Sequence, residues 1–139
     1  MDFRLTERQR ELIELAGWLG RERFAPRAAR HDAEASFPFE NYADLRKHGL
    51  LALCVPEAFG GRGADYQTYC LVAAEIGRHC GATALTFNMH SCAMMWSGPL
   101  ADDLPMSDED RRAHNARRTR HFDRVVAHGA IYAQPFSEG

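Results

Sequence analysis

Two neighbouring segments, each apolar on more than one side, constrain most strongly what this chain can fold into. Residues 65–80 carry apolar side chains at helical spacing, and further apolar residues widen that face. After Gly81, residues 82–97 are apolar almost all round. A helix of that kind normally lies inside a larger protein, and a chain of 139 residues can hardly cover two of them. We therefore expect a mainly α-helical N-terminal piece of something longer.

Composition and charge exclude several classes of protein. Apolar residues make up 45% of the chain and charged residues 26%, which is ordinary for a globular domain. The net charge of −2 gives no electrostatic footprint for nucleic acid. No stretch approaches the roughly 20 apolar residues of a membrane span. We therefore expect neither a nucleic-acid partner nor a membrane anchor.

The four cysteines indicate a reducing compartment. They show neither a CxxC pair nor the spacing of a zinc site, and they are Cys54, Cys70, Cys80 and Cys92. We interpret them as reduced thiols that serve as small core residues in a cytoplasmic protein, with no metal site.

The rest of the chain also reads mostly as helix. We predict further helices over residues 5–33, 40–48 and 107–128. Their capping residues would be Thr6 and Ser107, and Pro26 should kink or break the first helix.

Three short segments do not follow the helical pattern. Residues 50–55 are an apolar run that suits either a strand or an extended buried segment. Gly60–Gly63 predicts a turn with positive φ rather than a phosphate cradle. Residues 130–134 look like the beginning of a strand.

A polar stripe on the 82–97 helix is the most informative chemical feature. Thr83, Thr86, His90 and Ser97 follow one another at steps of three, four and seven residues. Buried polar groups need partners. The stripe therefore either lines a cavity that holds a polar ligand or bonds back to the carbonyls of its own helix.

Other polar residues favour structural roles. His114, His121 and His128 lie seven apart, which suits a solvated face, or a face that pairs with Asp or Glu, better than a metal site, because helical metal ligands usually lie three or four residues apart. The arginines around them also indicate a charged, peripheral helix, with an anion contact as the lesser alternative. Glu75 reads as an ion-paired helix residue. No catalytic triad, paired-carboxylate site or HExxH motif is present, so we assign no catalytic residue.

Several motifs, taken in order, resemble the acyl-CoA dehydrogenase family. Val55–Asp65 is similar to its VPExxGGxG signature, and Leu45–Leu51 to the LxxxGL lead-in. Glu75–Arg78 resembles its xxEExxR helix, and Ala84–His90 its cavity-lining helix, where several members carry a histidine. Tyr132–Gly139 resembles the start of the TEPxAGSD flavin-binding segment. The resemblance covers essentially the whole chain.

The resemblance implies a division of the chain and a cofactor. Residues 1–128 would form the N-terminal helical domain, and residues 129–139 would begin a truncated middle β domain with its first strand. The family uses FAD to dehydrogenate acyl-CoA thioesters between the α and β carbons. A base removes the α-proton and flavin N5 accepts the β-hydride. The full-length protein would be a homo-oligomer that passes electrons to another flavoprotein.

The same resemblance implies which residues meet substrate and flavin. Thr86 and His90 would face the acyl cavity. The flavin would be contacted from the final segment, by Tyr132, Ala133, Gln134 and Gly139.

Departures from the family pattern restrict what this chain can do alone. The family's catalytic glutamate has no counterpart here, and Ala133 and Gln134 replace the usual Thr and Glu of the flavin segment. We therefore expect the chain alone to be inactive. One alternative is a fragment of a flavin-dependent monooxygenase of the same fold, with His90 at the oxygen site. Another is a non-catalytic helical interaction module.

Overall fold

The computed structural model describes residues 4–133, and helices dominate that part of the chain. The α-helices are α1 (Glu7–Leu19), α2 (Ala25–Glu34), α3 (Phe39–Lys47), α4 (Tyr66–Gly77), α5 (Gly81–Ser97), α6 (Pro99–Asp102) and α7 (Asp108–Val126). A π-helical turn (Gly20–Phe24) joins α1 to α2, and a 3₁₀ turn (Glu57–Phe59) precedes α4. The expectation of a mainly helical fold is confirmed.

The first predicted helix is present but is interrupted before its proline. Thr6 caps α1 through a capping box, in which its hydroxyl accepts from the Gln9 amide and the Gln9 side chain accepts from the Thr6 amide. Pro26 has no N–H, and its ring would clash with the carbonyl four residues earlier. The π-helical turn directly before α2 widens the helix there, so the chain is distorted without being broken.

The centre of the fold is α4, which packs on both α1 and α5. Glycines let α1 approach α4 closely, since a Cβ added to Gly17 would lie 2.8 Å from Glu75 Oε1 and one added to Gly20 would lie 2.1 Å from His79 Cδ2. Glu75 pairs with Arg78 at 3.1 Å and with His79 at 3.3 Å. The prediction that Glu75 is an ion-paired helix residue is confirmed.

The apolar run at residues 50–55 is buried as expected, but it forms turns and no strand. The Leu53 amide donates to the Leu50 carbonyl at 3.1 Å, and the Val55 amide donates to the Ala52 carbonyl at 3.2 Å. The loop that follows, Gly60–Gly63, is called the glycine loop. It satisfies a further carbonyl of this run, because the Gly63 N–H donates to the Val55 carbonyl oxygen at 2.8 Å. These local bonds replace the ladder that a strand would need.

The glycine loop itself confirms the predicted turn. Gly60 has φ of +84° and Gly63 has φ of +59°, a region that favours glycine. Gly61 is required for another reason, since a Cβ there would lie 2.1 Å from the Val55 carbonyl oxygen. The loop therefore seals the buried turns at 50–55.

Helix α7 lies at the periphery, as its charge predicts. Arg117, Arg120 and His121 are exposed. Its inner face is anchored by Phe122, which is fully buried, with its ring centroid 5.1 Å from that of Phe59. Arg118 is also buried and pairs with Asp102 at 2.7 Å.

The expected strand at the end of the chain does not form within residues 130–133. Gly129 ends the helical region with φ of +69°, and the Ala130 amide donates to the Arg124 carbonyl at 2.9 Å. The Tyr132 amide donates to a histidine ring rather than to a neighbouring strand. Gln134 and the other residues of the predicted flavin segment up to Gly139 lie outside the described residues.

Both central helices keep an apolar face in solvent. Leu85 is 65% exposed, Tyr66 63% and Trp96 57%. This agrees with the expectation that the chain cannot cover α4 and α5 on all sides. Within residues 4–133, no helix combines the length and the apolar character needed to cross a bilayer.

Candidate functional site

His90 lies in the middle of α5 and is completely buried. Its Nε2 atom is 2.8 Å from the Leu51 carbonyl oxygen, in the buried turns. Its Nδ1 atom is 3.1 Å from the amide nitrogen of Tyr132, in the segment after α7. The ring thus joins three parts of the chain, and both of its nitrogens already have partners.

These two partners fix the protonation of the His90 ring. A backbone N–H can only donate, so Nδ1 must be the bare, accepting nitrogen opposite Tyr132. A carbonyl can only accept, so Nε2 carries the hydrogen that is donated to Leu51. Burial disfavours the imidazolium and lowers the pKa of His90, although the hydrogen bond to Leu51 opposes that shift. A neutral Nε2–H imidazole is the form that fits.

Two hydroxyls of the polar stripe, those of Thr86 and Ser97, bond to their own helix. Thr86 is half-buried, and its hydroxyl donates to the Ala82 carbonyl at 2.9 Å. Ser97 donates in the same way to the Ala93 carbonyl at 3.0 Å. Such back-bonding satisfies the hydroxyls without a ligand.

Thr83 differs because its partner comes from another helix. Its hydroxyl oxygen accepts from Asn41 Nδ2 at 2.8 Å, and both residues are fully buried. The hydroxyl also lies 3.1 Å from Cys80 Sγ. Asn41 accepts in turn from Arg27 at 2.9 Å. Asn41 was missed by sequence reasoning, and its polar side chain on the inner face of the short α3 is the signal that could have found it.

Of the four residues assigned to flavin contacts, the structure describes only Tyr132 and Ala133. The Tyr132 amide is used by His90, and its hydroxyl lies 3.1 Å from His121 Nδ1. Ala133 offers no side-chain hydrogen bond. These two residues do not make a flavin site by themselves, so no flavin chemistry is assigned to the described residues.

His121 was assigned to a solvated stripe, and it is exposed. The structure also places its ring edge-on to Tyr132, with centroids 5.8 Å apart. Tyr132 is therefore held at its amide by His90 and at its hydroxyl by His121. Sequence patterns gave no signal for either contact, since the pairs are 42 and 11 residues apart.

Comparison with known families identifies the helical part of this chain. The model of the acyl-CoA dehydrogenase N-terminal domain matches residues 6–101, which run from the cap of α1 to α6. The match spans the whole α1–α4–α5 core and the buried turns. The chain therefore belongs to the acyl-CoA dehydrogenase family, through that family's N-terminal domain.

Curated relatives agree with this assignment. A probable acyl-CoA dehydrogenase of Bacillus subtilis (strain 168) is 32% identical over 87 residues, which cover 63% of this chain and 23% of the relative. A cyclohex-1-ene-1-carbonyl-CoA dehydrogenase of Syntrophus aciditrophicus (strain SB) is 43% identical over 84 residues, covering 58% and 20%. A 3-sulfinopropanoyl-CoA desulfinase of Paraburkholderia xenovorans (strain LB400) is 36% identical over 81 residues, covering 58% and 21%. The chain matches only about a fifth to a quarter of the length of these relatives.

Proposed function

We propose that this chain forms the N-terminal helical domain of an FAD-dependent acyl-CoA dehydrogenase. The observation that carries the proposal is the family match over residues 6–101, which coincides with the helical core of the structure. The names of the relatives support CoA thioesters as the substrate class. The acyl substituent differs among them, so the proposal extends to the thioester and not to one acyl group.

The part of the domain that we propose for the acyl cavity is the α5 surface around Thr86 and His90. Thr86 is half-buried and could border bound substrate. His90 has no free nitrogen for a ligand, so its contribution to the cavity would come from the ring and not from a hydrogen bond. For the same reason the monooxygenase alternative gains no support from His90.

We further propose that this chain does not catalyse the reaction alone. It carries no counterpart of the family's catalytic glutamate, and the described residues do not make a flavin site. The complete activity would need the remaining domains, a homo-oligomeric assembly and an electron-accepting protein. The four cysteines are free thiols where the structure shows them, which supports a cytoplasmic location.

A chimera tests whether the domain supports this function. Residues 6–101 replace the matched segment of the Bacillus subtilis relative, and the purified chimera is assayed for bound FAD and for dehydrogenation of saturated acyl-CoA thioesters with an artificial electron acceptor. We expect retained FAD and measurable turnover. A chimera that folds and retains FAD, but neither binds nor dehydrogenates any acyl-CoA thioester, would refute the proposal. The unmodified relative is the control for assay conditions.

A helical interaction module is the second candidate, and the exposed apolar face of α4 and α5 favours it. Leu85 and Tyr66 are each more than 60% exposed, which is typical of surfaces that another protein covers. Light scattering on the 139-residue chain tests this, together with Leu85→Ser and the control Leu104→Ser, which changes another exposed leucine outside α4 and α5. Self-association that only the Leu85 change weakens would support the module, and a monomer at every concentration would count against self-association.

A further inference from the structure

His90 holds a segment that is distant in sequence. The bond to Leu51 spans 39 residues and the bond to Tyr132 spans 42 residues. Gly129, which has positive φ, lies after the end of α7, and Tyr132 follows it. The His90 ring therefore binds the chain just after it leaves the helical region. The ring centroids of His90 and Tyr132 lie 6.4 Å apart. The ring thus joins the helical core to the chain that continues from it. We call its two hydrogen bonds, to Leu51 and to Tyr132, the His90 clasp.

We propose that His90 is a positioning residue, which fixes the backbone of Tyr132 through its bare Nδ1 while its Nε2–H is anchored on Leu51. The clasp is a property of residues 4–133 and can be tested in this chain. Its consequence for the enzyme rests on the proposed function, because Tyr132 begins the segment that resembles the family's flavin-binding motif. There, His90 would set where that motif starts.

The clasp requires a neutral ring. Protonation would add a hydrogen to Nδ1, which would then face the Tyr132 N–H as a second donor, and the hydrogen bond would be lost. The bond from Nε2–H to Leu51 would remain. Protonation would therefore break only the bond to Tyr132, in the segment after α7.

The titratable groups on the elements that hold the ring do not change this conclusion. Cys92 lies on α5 and Cys54 in the buried turns, and neither is among the causes of the shift in the pKa of His90. Tyr132 contacts the ring from the segment after α7, and the Tyr132 hydroxyl contacts His121 of α7. The shift in the pKa of His90 has burial and the Leu51 bond as its causes, with no charged side chain among them. His121 is a second histidine that contacts Tyr132, so the test must separate the two histidines.

The first measurement is the tautomer of His90 in the unmodified chain, by long-range ¹H–¹⁵N correlation at neutral pH. We expect Nε2 to be protonated and Nδ1 to be bare. The same sample gives hydrogen exchange at the Tyr132 amide, corrected for the intrinsic pH dependence of exchange. Protection should fall roughly 2- to 12-fold when His90 becomes charged, which corresponds to one net hydrogen bond. A ring that is protonated on Nδ1 at neutral pH would overturn the proposal without any variant.

Two substitutions test the two hydrogen bonds of the His90 clasp separately. In His90→Asn the amide oxygen can replace Nδ1 as the acceptor for Tyr132, whereas in His90→Gln the amide nitrogen can replace Nε2–H as the donor to Leu51. We expect the asparagine variant to keep Tyr132 protection and to lose its pH dependence. The glutamine variant should lose the protection at all pH values. Equal protection in both variants and in the unmodified chain would overturn the proposal.

His121→Gln is the matched control, because it removes the other histidine that contacts Tyr132 but leaves the amide bond to His90. It should retain the pH dependence of protection, and its loss in this variant would assign the effect to His121 instead. All readouts are made without flavin or substrate. Failure of the clasp can therefore be told apart from failure of the proposed enzyme function.

Discussion

The buried pair of Asn41 and Thr83 allows a quantitative test of the reasoning about the polar stripe. Replacing Thr83 by valine keeps the branched shape of the side chain but removes the hydroxyl that accepts from Asn41 at 2.8 Å. Both side chains are fully buried, so water cannot replace the lost acceptor. Arg27 still donates to the Asn41 oxygen at 2.9 Å and holds the amide in place. The Asn41 N–H₂ group is then left as an unsatisfied buried donor.

An unsatisfied buried donor costs about 1–3 kcal/mol. We therefore expect Thr83→Val to lower the free energy of unfolding by that amount, and the melting temperature by roughly 3–12 °C for a chain of this size. Urea denaturation followed by circular dichroism measures the loss. Replacing Asn41 by leucine in addition should recover part of it, because both partners of the bond are then apolar.

Thr86→Val is the matched control, since it makes the same substitution on the same helix. The Thr86 hydroxyl bonds back to carbonyls of its own helix, at 2.9 Å to Ala82 and at 3.2 Å to Thr83, and these carbonyls remain in the helical ladder after the change. We expect a change within about 0.5 kcal/mol. If Thr83→Val costs no more than Thr86→Val, the argument that buried polar partners distinguish these two residues is wrong.

Three further outcomes are expected from local features. Phe122→Ala should cost about 3–5 kcal/mol in thermal or urea denaturation, because it removes the fully buried ring that docks α7; a loss below 1 kcal/mol would contradict that docking. A thiol reagent should label the exposed Cys70 quickly and Cys54 only after unfolding, since burial raises the pKa of Cys54 to about 12; equal labelling rates by peptide mass spectrometry would refute this. Hydrogen bonds from Thr68 lower the pKa of the Asp65 carboxyl, which caps α4. The cap therefore stabilises the fold at pH values above the ordinary carboxyl range, and this stabilisation is lost as pH falls through the lowered pKa. Asp65→Asn should weaken this dependence of the free energy of unfolding on acid pH.

Features that depend on a few consecutive residues were predicted from the sequence. The caps at Thr6 and Ser107 each accept from a backbone amide three residues later, as their residue types indicate. Gly60 and Gly63 have the positive φ that was predicted for the glycine turn. These features are local because the cap and its partner lie within one helical turn, so no tertiary information is needed.

Features that depend on long-range contacts were not predicted. The turns at 50–55 have the composition of a strand, and only the glycine loop that satisfies their carbonyls makes turns the better solution. The strand expected after residue 129 does not form up to residue 133. The Tyr132 amide that would enter a ladder is instead used by His90, 42 residues earlier. Periodicity along the sequence cannot reveal which of two acceptors an amide will find.

The polar stripe on α5 shows why a candidate site is harder to predict than a helix. The sequence correctly singles out four polar side chains on an apolar helix, because such groups must find partners when they are buried. It does not say whether the partner is a ligand or the chain itself. For His90 the partners are two backbone groups, and their chemistry alone dictates the tautomer. The hydrogen-bonding needs of His90, which suggested a ligand site, are thus met within the fold. The role that we propose for its two nitrogens is to hold the segment at Tyr132 in place.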